Sequence, residues 1–402
     1  MKSEFHECAL GDITELVIDY RGKTPLKLGS DWSTSGYRAL SAKNIKTGRI
    51  VQEDSIRFVD ADLYKKWMKD EVRRGDILIT SEAPFGQILF WDSDEKIVLS
   101  QRLFDVRIKS SCDPQYIYYY MTTNDFQGEL EARATGTTVT GLRQPELLKC
   151  RLKLPNLETQ RKIAAILSAL DYKIAINERI NDHLEKQAQA IYREHFERVL
   201  SEDLPSGWRV VPLGEVATIS NKCFNPQKET ERMLEHYSIP AFDETRFPVF
   251  EPSTSIKSNK FVIDASCFMI SKLNPTTKRV WKPYCLTEDA VCSTEFIVYK
   301  AKDESITDFL YSVIDSDSFS DFMCSHVTGS TGSRQRTNPS DTLSYELILP
   351  PKDKLAEYQS LVSPMYAQIR VNAIENDKLK LLRDSILPKL MSGDLDVSTI
   401  PI

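Results

Sequence analysis

Along residues 156–200 the seam positions recur in alternating steps of four and three. They are Ile163, Leu167, Leu170 and Ile174, then two polar steps at Asn177 and Asn181, then Leu184, Ala188, Ile191 and His195. That is the period of a helix packing along a coiled-coil seam. The same phase returns in Tyr358, Val362, Met365, Ile369, Asn372, Asn376, Leu379, Arg383, Ile386 and Leu390, with asparagines at the same two steps. Pro155, with Asn156 as N-cap and Glu158 in the first turn, predicts where the first helix begins. An asparagine in an apolar seam lowers stability but penalises slipped pairings, because a shifted amide would face only methyl groups. The alternative phase turns Asn177 and Asn181 to solvent and puts Ile176 and Ile180 in the contact. Val371 and Glu375 hold the corresponding places in the second helix, which weighs against that phase. The two helices are therefore expected to pack on each other as an antiparallel rod of about 43 residues, roughly 65 Å long.

The recurrence extends beyond the helices. Residues 152–196 lie over 347–391 at an offset of 195, and "PLGEVATIS" (212–220) echoes "ALGDITELV" (9–17) at an offset of 203. Between these ends "GDILITSEAPFGQI" corresponds to "DASCFMISKLNPTTKRV", and "RATGTTVTGLR" to "HVTGSTGSRQR". Each half thus reads as a variable globular part followed by a similar helix. "DILIT", "KIVLSQRLFDVRI", "FVIDASCFMI" and "STEFIVYK" predict short strands, while "PQYIYYYMTTNDFQGEL" and "ITDFLYSVIDSDSFSDFM" predict helices with apolar stripes. The expected fold class is α+β: two mixed α/β domains held apart by an antiparallel two-helix coiled coil, with a pseudo-two-fold internal repeat. The expected divisions are 1–155, 156–200, 201–350 and 351–396.

Charge changes this picture locally. The net charge of −6 argues mildly against nucleic acid, but patches matter more than sums. Residues 20–50 hold seven Lys/Arg against one acid, and 271–283 hold four basic residues and no acid. The eight cysteines include no CxxC pair, which predicts thiols in a reducing compartment rather than a zinc or redox site. The first twenty residues lack the apolar stretch of a secretory signal, and no apolar run reaches membrane-spanning length, so a cytoplasmic location is expected.

Candidate chemistry is sparse. "FNPQ", "LNPT" and "TNPS" lack the second proline and the aromatic of an adenine-methyltransferase loop, and neither GxGxxG nor GxxxxGKS/T occurs. "WDSDEK" reads as a charged turn, and the five histidines show no metal-ligand spacing. No catalytic residue and no metal ligand is assigned.

"LKLPNLETQRKIAAILSALDYKI" resembles the central conserved region of the specificity (S) subunits of Type I restriction–modification systems. The matching positions are Leu154, Pro155, Leu157, Glu158, Gln160, Ile163, Leu167, Asp171 and Ile174. "LPKLMSGDLDV", "GDILIT", "VLSQRL" and the Thr-Gly segments before each helix are also similar to that family. The second helix departs from it: the Glu-Gln pair is missing, and Tyr366 stands where Asp171 does. The resemblance implies two target recognition domains, each reading half of a bipartite, asymmetric site on double-stranded DNA. It implies docking of two methyltransferase (modification) subunits, with motor-nuclease (restriction) subunits joining for cleavage. It implies no catalysis and no cofactor on this chain, S-adenosylmethionine and ATP being expected on the partners.

DNA contact then falls to side chains able to reach bases or phosphates. In the first domain these are Arg21, Lys23, Thr24, Lys43, Asn44, Gln101, Arg102, Thr137, Thr138 and Arg143. In the second they are Lys222, Asn225, Lys272, Asn274, Lys278, Arg279, Arg334, Gln335 and Arg336. Two other readings compete: a duplicated coiled-coil adaptor whose globular ends bind proteins, and a self-contained methyltransferase.

Overall fold

Ile77, Leu78, Ile79 and Thr80 are all buried, although alternate residues of a strand face opposite ways. Both faces of their sheet must therefore be covered, and the computed structural model of the chain shows by what. It describes residues 5–136, 140–197, 204–228, 232–328, 335–397 and 400. The chain divides into two units, Met1–Lys173 with Leu379–Ile402, and Ile174–Lys378. This differs from the four-part division expected above, because each long helix contributes to the cores rather than standing apart from them.

In the first unit a four-stranded antiparallel sheet runs in the order Thr14–Asp19, Leu103–Ile108, Ile77–Thr80, Ile88–Phe90. Ile77, Ile79, Phe104 and Val106 face the helices Pro114–Met121 and Asn124–Arg133, together with Ile163, Leu167 and Leu390 of the long helices. Leu78, Leu103 and Ile18 face a smaller sheet of Arg57–Val59, Tyr37–Leu40 and Val98–Leu99, backed by the helix Ala61–Trp67.

The second unit repeats the design. Its main sheet is ordered Ala217–Ser220, Phe296–Ala301, Cys267–Ser271, Val280–Trp281. Phe268, Ile270, Ile297 and Tyr299 pack on the helical side, and Met269, Phe296 and Val298 on the other. Its second sheet has five strands, with the parallel pair Met233–Tyr237 and Ala290–Ser293 at the place of the parallel pair in the smaller sheet of unit 1.

Several expected elements are finer than the apolar pattern suggested. "KIVLSQRLFDVRI" is two strands, Val98–Leu99 and Leu103–Ile108, broken at Arg102, whose φ of +65° is left-handed. "FVIDASCFMI" breaks into Lys260–Val262 and Cys267–Ser271. Each predicted helical stretch is a pair: Pro114–Met121 with Asn124–Arg133, and Thr307–Ile314 with Asp317–Ser325. Thr123 and Ser316 cap the second member of each pair, so a hydroxyl starts a new helix inside a continuous apolar stripe.

The long helices span Leu157–Tyr192 and Lys352–Ser392. Asn156 Oδ1 accepts from Thr159 N at 2.9 Å at the start of the first. They run antiparallel within each unit. In unit 1 Asp171 meets Arg383 at 2.7 Å. In unit 2 Asn177 Nδ2 donates to Asn376 Oδ1 at 2.8 Å, and Asn372 Nδ2 to Asn181 Oδ1 at 2.8 Å. Asn376 Nδ2 also donates to Ile174 O at 3.3 Å, and Asn181 Nδ2 to Ile369 O at 3.4 Å. Exchanging 177 with 372, 181 with 376 and 174 with 369 maps each of these bonds onto another, so the network has a local two-fold. Asn177, Asn372 and Asn376 are buried, while Ile180 and Val371 are exposed. Leu167 and Ile174 are buried, and Ile163 packs in the unit 1 core. Leu170, Leu184, Ile191, Met365, Ile369, Leu379 and Ile386 are half-buried. His195 is exposed, beyond the regular helix in the wider turn Arg193–Glu197, with its Nδ1 2.8 Å from Ile191 O.

One buried group opposes folding as pH rises. Asp105 lies in the strand Leu103–Ile108, and neither of its carboxyl oxygens receives a hydrogen bond among the described residues. Burial, then the neighbouring Asp76 charge, push its pKa well above the ordinary carboxylate range, while Arg107 acts the other way.

Two outcomes follow from these contacts. Asn376→Leu leaves Asn181 and Asn372 paired and removes one of the two acceptors of Asn177, the other being Glu375 Oε2 at 2.7 Å, and is expected to lower stability by about 0.5–1.5 kcal/mol in urea denaturation. Asp105 binds its proton more tightly in the folded chain. Its contribution is therefore fully present below the unfolded pKa of about 3.9 and is lost as pH climbs towards the folded value. Asp105→Asn is expected to flatten that decline, by up to about 1.4 kcal/mol per pH unit crossed, in melts between about pH 4 and 8.

Candidate nucleic-acid interface

The two main sheets end in the same backbone construction. In unit 1, just past Ile77–Thr80, Ser81 N donates to Arg102 O at 2.9 Å, and Leu142 N donates to Ser81 O at 3.0 Å. In unit 2, just past Cys267–Ser271, Lys272 N donates to Glu295 O at 2.9 Å, and Thr337 N donates to Lys272 O at 3.2 Å. Three chain segments that are distant in sequence thus meet at one strand end, because a strand's terminal N–H and C=O need partners once its ladder stops. Register makes Arg102 equivalent to Glu295, and Leu142 to Thr337.

In unit 1 this construction gathers Arg21, Gln101, Arg102 and Arg143. Arg21 is clamped: its Nε and Nη2 each donate to Asp19 at 2.8 Å, its Nη1 donates to Leu142 O at 3.2 Å, and its guanidinium lies 4.1 Å from the Phe104 ring centroid. Arg102 Nε lies 3.3 Å from Glu82 Oε1, with nearly half of its side chain exposed. Gln101 is exposed, and so is Arg143, which precedes the short helix Gln144–Leu147. Lys43 is also exposed. Lys23 donates to Trp67 O and lies 3.7 Å from the Tyr20 ring centroid, and burial lowers its pKa. Thr24 Oγ1 accepts from Lys27 N at 3.3 Å.

Asn44 does not belong in the set. It is buried, its Oδ1 accepts from Ser41 N at 3.1 Å, and its Nδ2 donates to Ser55 Oγ at 3.1 Å. It shapes a turn and has no polar atom left for a base. Thr137 and Thr138 lie outside the described residues, as does Arg334.

In unit 2 the strand end gathers Lys272, Asn274, Gln335 and Arg336. Arg336 holds Glu295 with two bonds, at 2.9 and 3.0 Å. Asn274 N donates to Gln335 O at 2.9 Å, and Asn274 sits in a left-handed conformation with φ +48°. Lys222 is exposed on a separate edge, and Asn225 Oδ1 accepts from Gln227 N at 3.1 Å. Lys278 and Arg279, chosen for their basic run, are corrected by their contacts. Lys278 Nζ donates to Asp315 O at 2.6 Å and lies 3.2 Å from Asp315 Oδ1. Arg279 grips Asp243 at 2.6 and 2.9 Å with only 13% of its side chain exposed. Both hold unit 2 together.

A search for cations and amides alone passed over the acids beside them. Asp19, Glu82 and Glu295 are the partners of the candidate arginines. Strand-end position was the signal that could have found Glu82 and Glu295, since each lies within two residues of a main-sheet strand.

A further pocket of about 340 Å³ in unit 2 is lined by Glu185, Trp281, Lys282, Tyr284, Tyr366 and Arg370, among others. Its charged groups are already engaged: Glu185 with Arg246, Lys282 with Asp308, and Arg370 with Tyr284 O.

Residues 2–186 match the family model of the Type I restriction modification DNA specificity domain. Over that stretch the chain carries the specificity domain of Type I restriction–modification systems, and its curated relatives are specificity subunits of such systems. It is 24% identical to the Type I restriction enzyme MjaIX specificity subunit of Methanocaldococcus jannaschii, over 81% of this chain and 79% of that one. It is 22% identical to the HindI specificity subunit of Haemophilus influenzae, over 81% and 88% respectively. Its fold is that of the S subunit crystal structure from M. genitalium, with a TM-score of 0.61 and 14% identity, covering 98% of this chain and 97% of the other. Among the described residues no helix is long and apolar enough to cross a membrane.

If Arg279 is structural, Arg279→Gln is expected to lower stability by about 1 kcal/mol and to leave the slope of log affinity for DNA against log salt unchanged. A slope reduced by about 1 would instead mark a phosphate contact.

Proposed function

We propose that this chain recognises a bipartite, asymmetric site on double-stranded DNA, each unit reading one half across bases that neither reads. The observation that carries this is the repeated strand-end construction with unlike side chains. Unit 1 offers Arg21, Gln101 and Arg102, and unit 2 offers Lys272, Gln335 and Arg336 at the same place in the fold. A shared frame explains why both units bind the same kind of partner, and unlike side chains explain why the half-sites differ. The chain acts without catalysis of its own. It scaffolds two methyltransferase subunits and the restriction subunits, which carry S-adenosylmethionine and ATP, and it works in the cytoplasm.

Replacing residues 1–155 by the corresponding domain of another specificity subunit tests this in cells that carry the full complex. A genome-wide adenine-methylation map is expected to show one half of a two-part motif changed and the other half kept. Change in both halves would defeat the two-reader account. For a protein-binding adaptor, no two-part motif depends on this gene. Partner binding would then be insensitive to salt, where DNA affinity falls by orders of magnitude.

A further inference from the structure

An open groove of about 490 Å³ at the strand end of unit 1 is lined by Asp19, Arg21, Gly22, Glu82, Gln101 and Arg102. Its chemistry is mixed: two guanidinium groups, two carboxylates and an amide. A groove built for phosphate would be cationic throughout, because Asp19 and Glu82 repel an anion. The edge of a base pair in the major groove carries donors and acceptors side by side, which this lining matches.

Within the groove the two arginines differ. Arg21 is fixed by Asp19, by Leu142 O and by the Phe104 ring, so it forms a wall. Arg102 rests on one 3.3 Å contact with Glu82 and is about half exposed. It also occupies left-handed backbone at φ +65°, where glycine is easier and a side chain is strained. The conformation is set by its carbonyl accepting from Ser81 N and by the strand Leu103–Ile108 that starts at the next residue.

Unit 2 builds its pair between different segments of the same frame: Arg336 stands at the place of Gly141, not at that of Glu82. Glu295 stands where Arg102 does, and the guanidinium comes from the facing segment as Arg336. Arg336 makes a two-bond contact with Glu295, again with 42% of its side chain exposed. Each unit therefore holds one accessible arginine against one carboxylate, delivered from different segments of an equivalent frame. In unit 2 the carboxylate engages the arginine fork through two donors, the geometry that guanine O6 and N7 require, and in unit 1 Glu82 touches Arg102 at Nε alone.

We propose that Arg102 and Arg336 are the guanine-reading residues of the first and second half-sites, with Glu82 and Glu295 as the positioning residues beside them until DNA arrives. This rests on the DNA-reading function proposed above.

The test is a genome-wide adenine-methylation map in cells carrying the complete complex with wild-type chain, Arg102→Gln, Arg102→Lys or Arg336→Gln. The wild-type map checks the underlying reading first: without a two-part motif, that reading fails and the residue assignment falls with it. Given the motif, Arg102→Gln is expected to relax one guanine of one half-site, with discrimination falling roughly 5–150-fold, while the other half stays intact. Arg336→Gln is expected to do the same in the other half. Arg102→Lys keeps the charge but not the fork, so it should relax the same guanine and still methylate. An unchanged motif in the variants overturns the proposal. So does an even loss of methylation at all sites in both Arg102 variants while the complex still assembles, since that marks a phosphate contact.

Discussion

A buried amide accepts only one register. Asn177 with Asn376, and Asn372 with Asn181, bond to one another inside the seam, and a shift of either helix by one turn would break both pairs and leave two of the four amides opposite aliphatic seam positions. Everything that the long helices deliver to unit 2 depends on this alignment. It places Tyr358 and Tyr366 so that both hydroxyls meet Ser312 Oγ, at 2.7 and 2.8 Å, beneath the main sheet. It also brings Tyr358 beside Phe196, with ring centroids 4.9 Å apart. Methyl-on-methyl contacts tolerate slippage, whereas paired amides do not.

The duplicated halves keep their hydrogen bonds while exchanging the partners. In unit 1 Tyr119, on the helix Pro114–Met121, donates to Asp171 of the long helix at 2.7 Å. In unit 2 the short helix supplies the small hydroxyl of Ser312, and the long helix supplies Tyr366. The ring has moved to the other side of the interface, which conserves both volume and a polar contact. This accounts for Tyr366 at the position of Asp171. Asp171 also answers Arg383, whose guanidinium pKa is raised despite burial by its bonds to Asp171 and Asp384. Where Gln160 is buried and bonded to Asp113 N and Pro155 O, Leu355 is buried among apolar neighbours instead. The strand ends also differ in their partners, since Arg102 and Glu295 stand at equivalent places but pair with Glu82 and Arg336 from different segments. Such exchanges leave the cores intact while the exposed side chains change, as the proposed two-reader function requires.

The long helices were legible in the sequence because a period of four and three repeated over ten positions is hard to produce any other way. The duplication was legible because the segments that close each core are similar in both halves. The candidate interface was legible only in part. Basic runs drew attention to Lys278 and Arg279, whose charges are neutralised by Asp315 and Asp243 from elsewhere in unit 2. Asn44 stood in the same kind of run yet is folded into its own turn. Local composition records which side chains carry charge and is silent about which distant acid will lie beside them.

The sequence by itself determined the helices, their asparagine register, the repeat and the family resemblance, all of which rest on spacing between near neighbours along the chain. The tertiary structure alone decided which cations remain accessible, where Glu82 and Glu295 stand, and that Arg102 breaks one predicted strand run into two strands. Those outcomes depend on three segments meeting at each strand end, where unpaired backbone groups must find partners and the side chains beside them are turned outward.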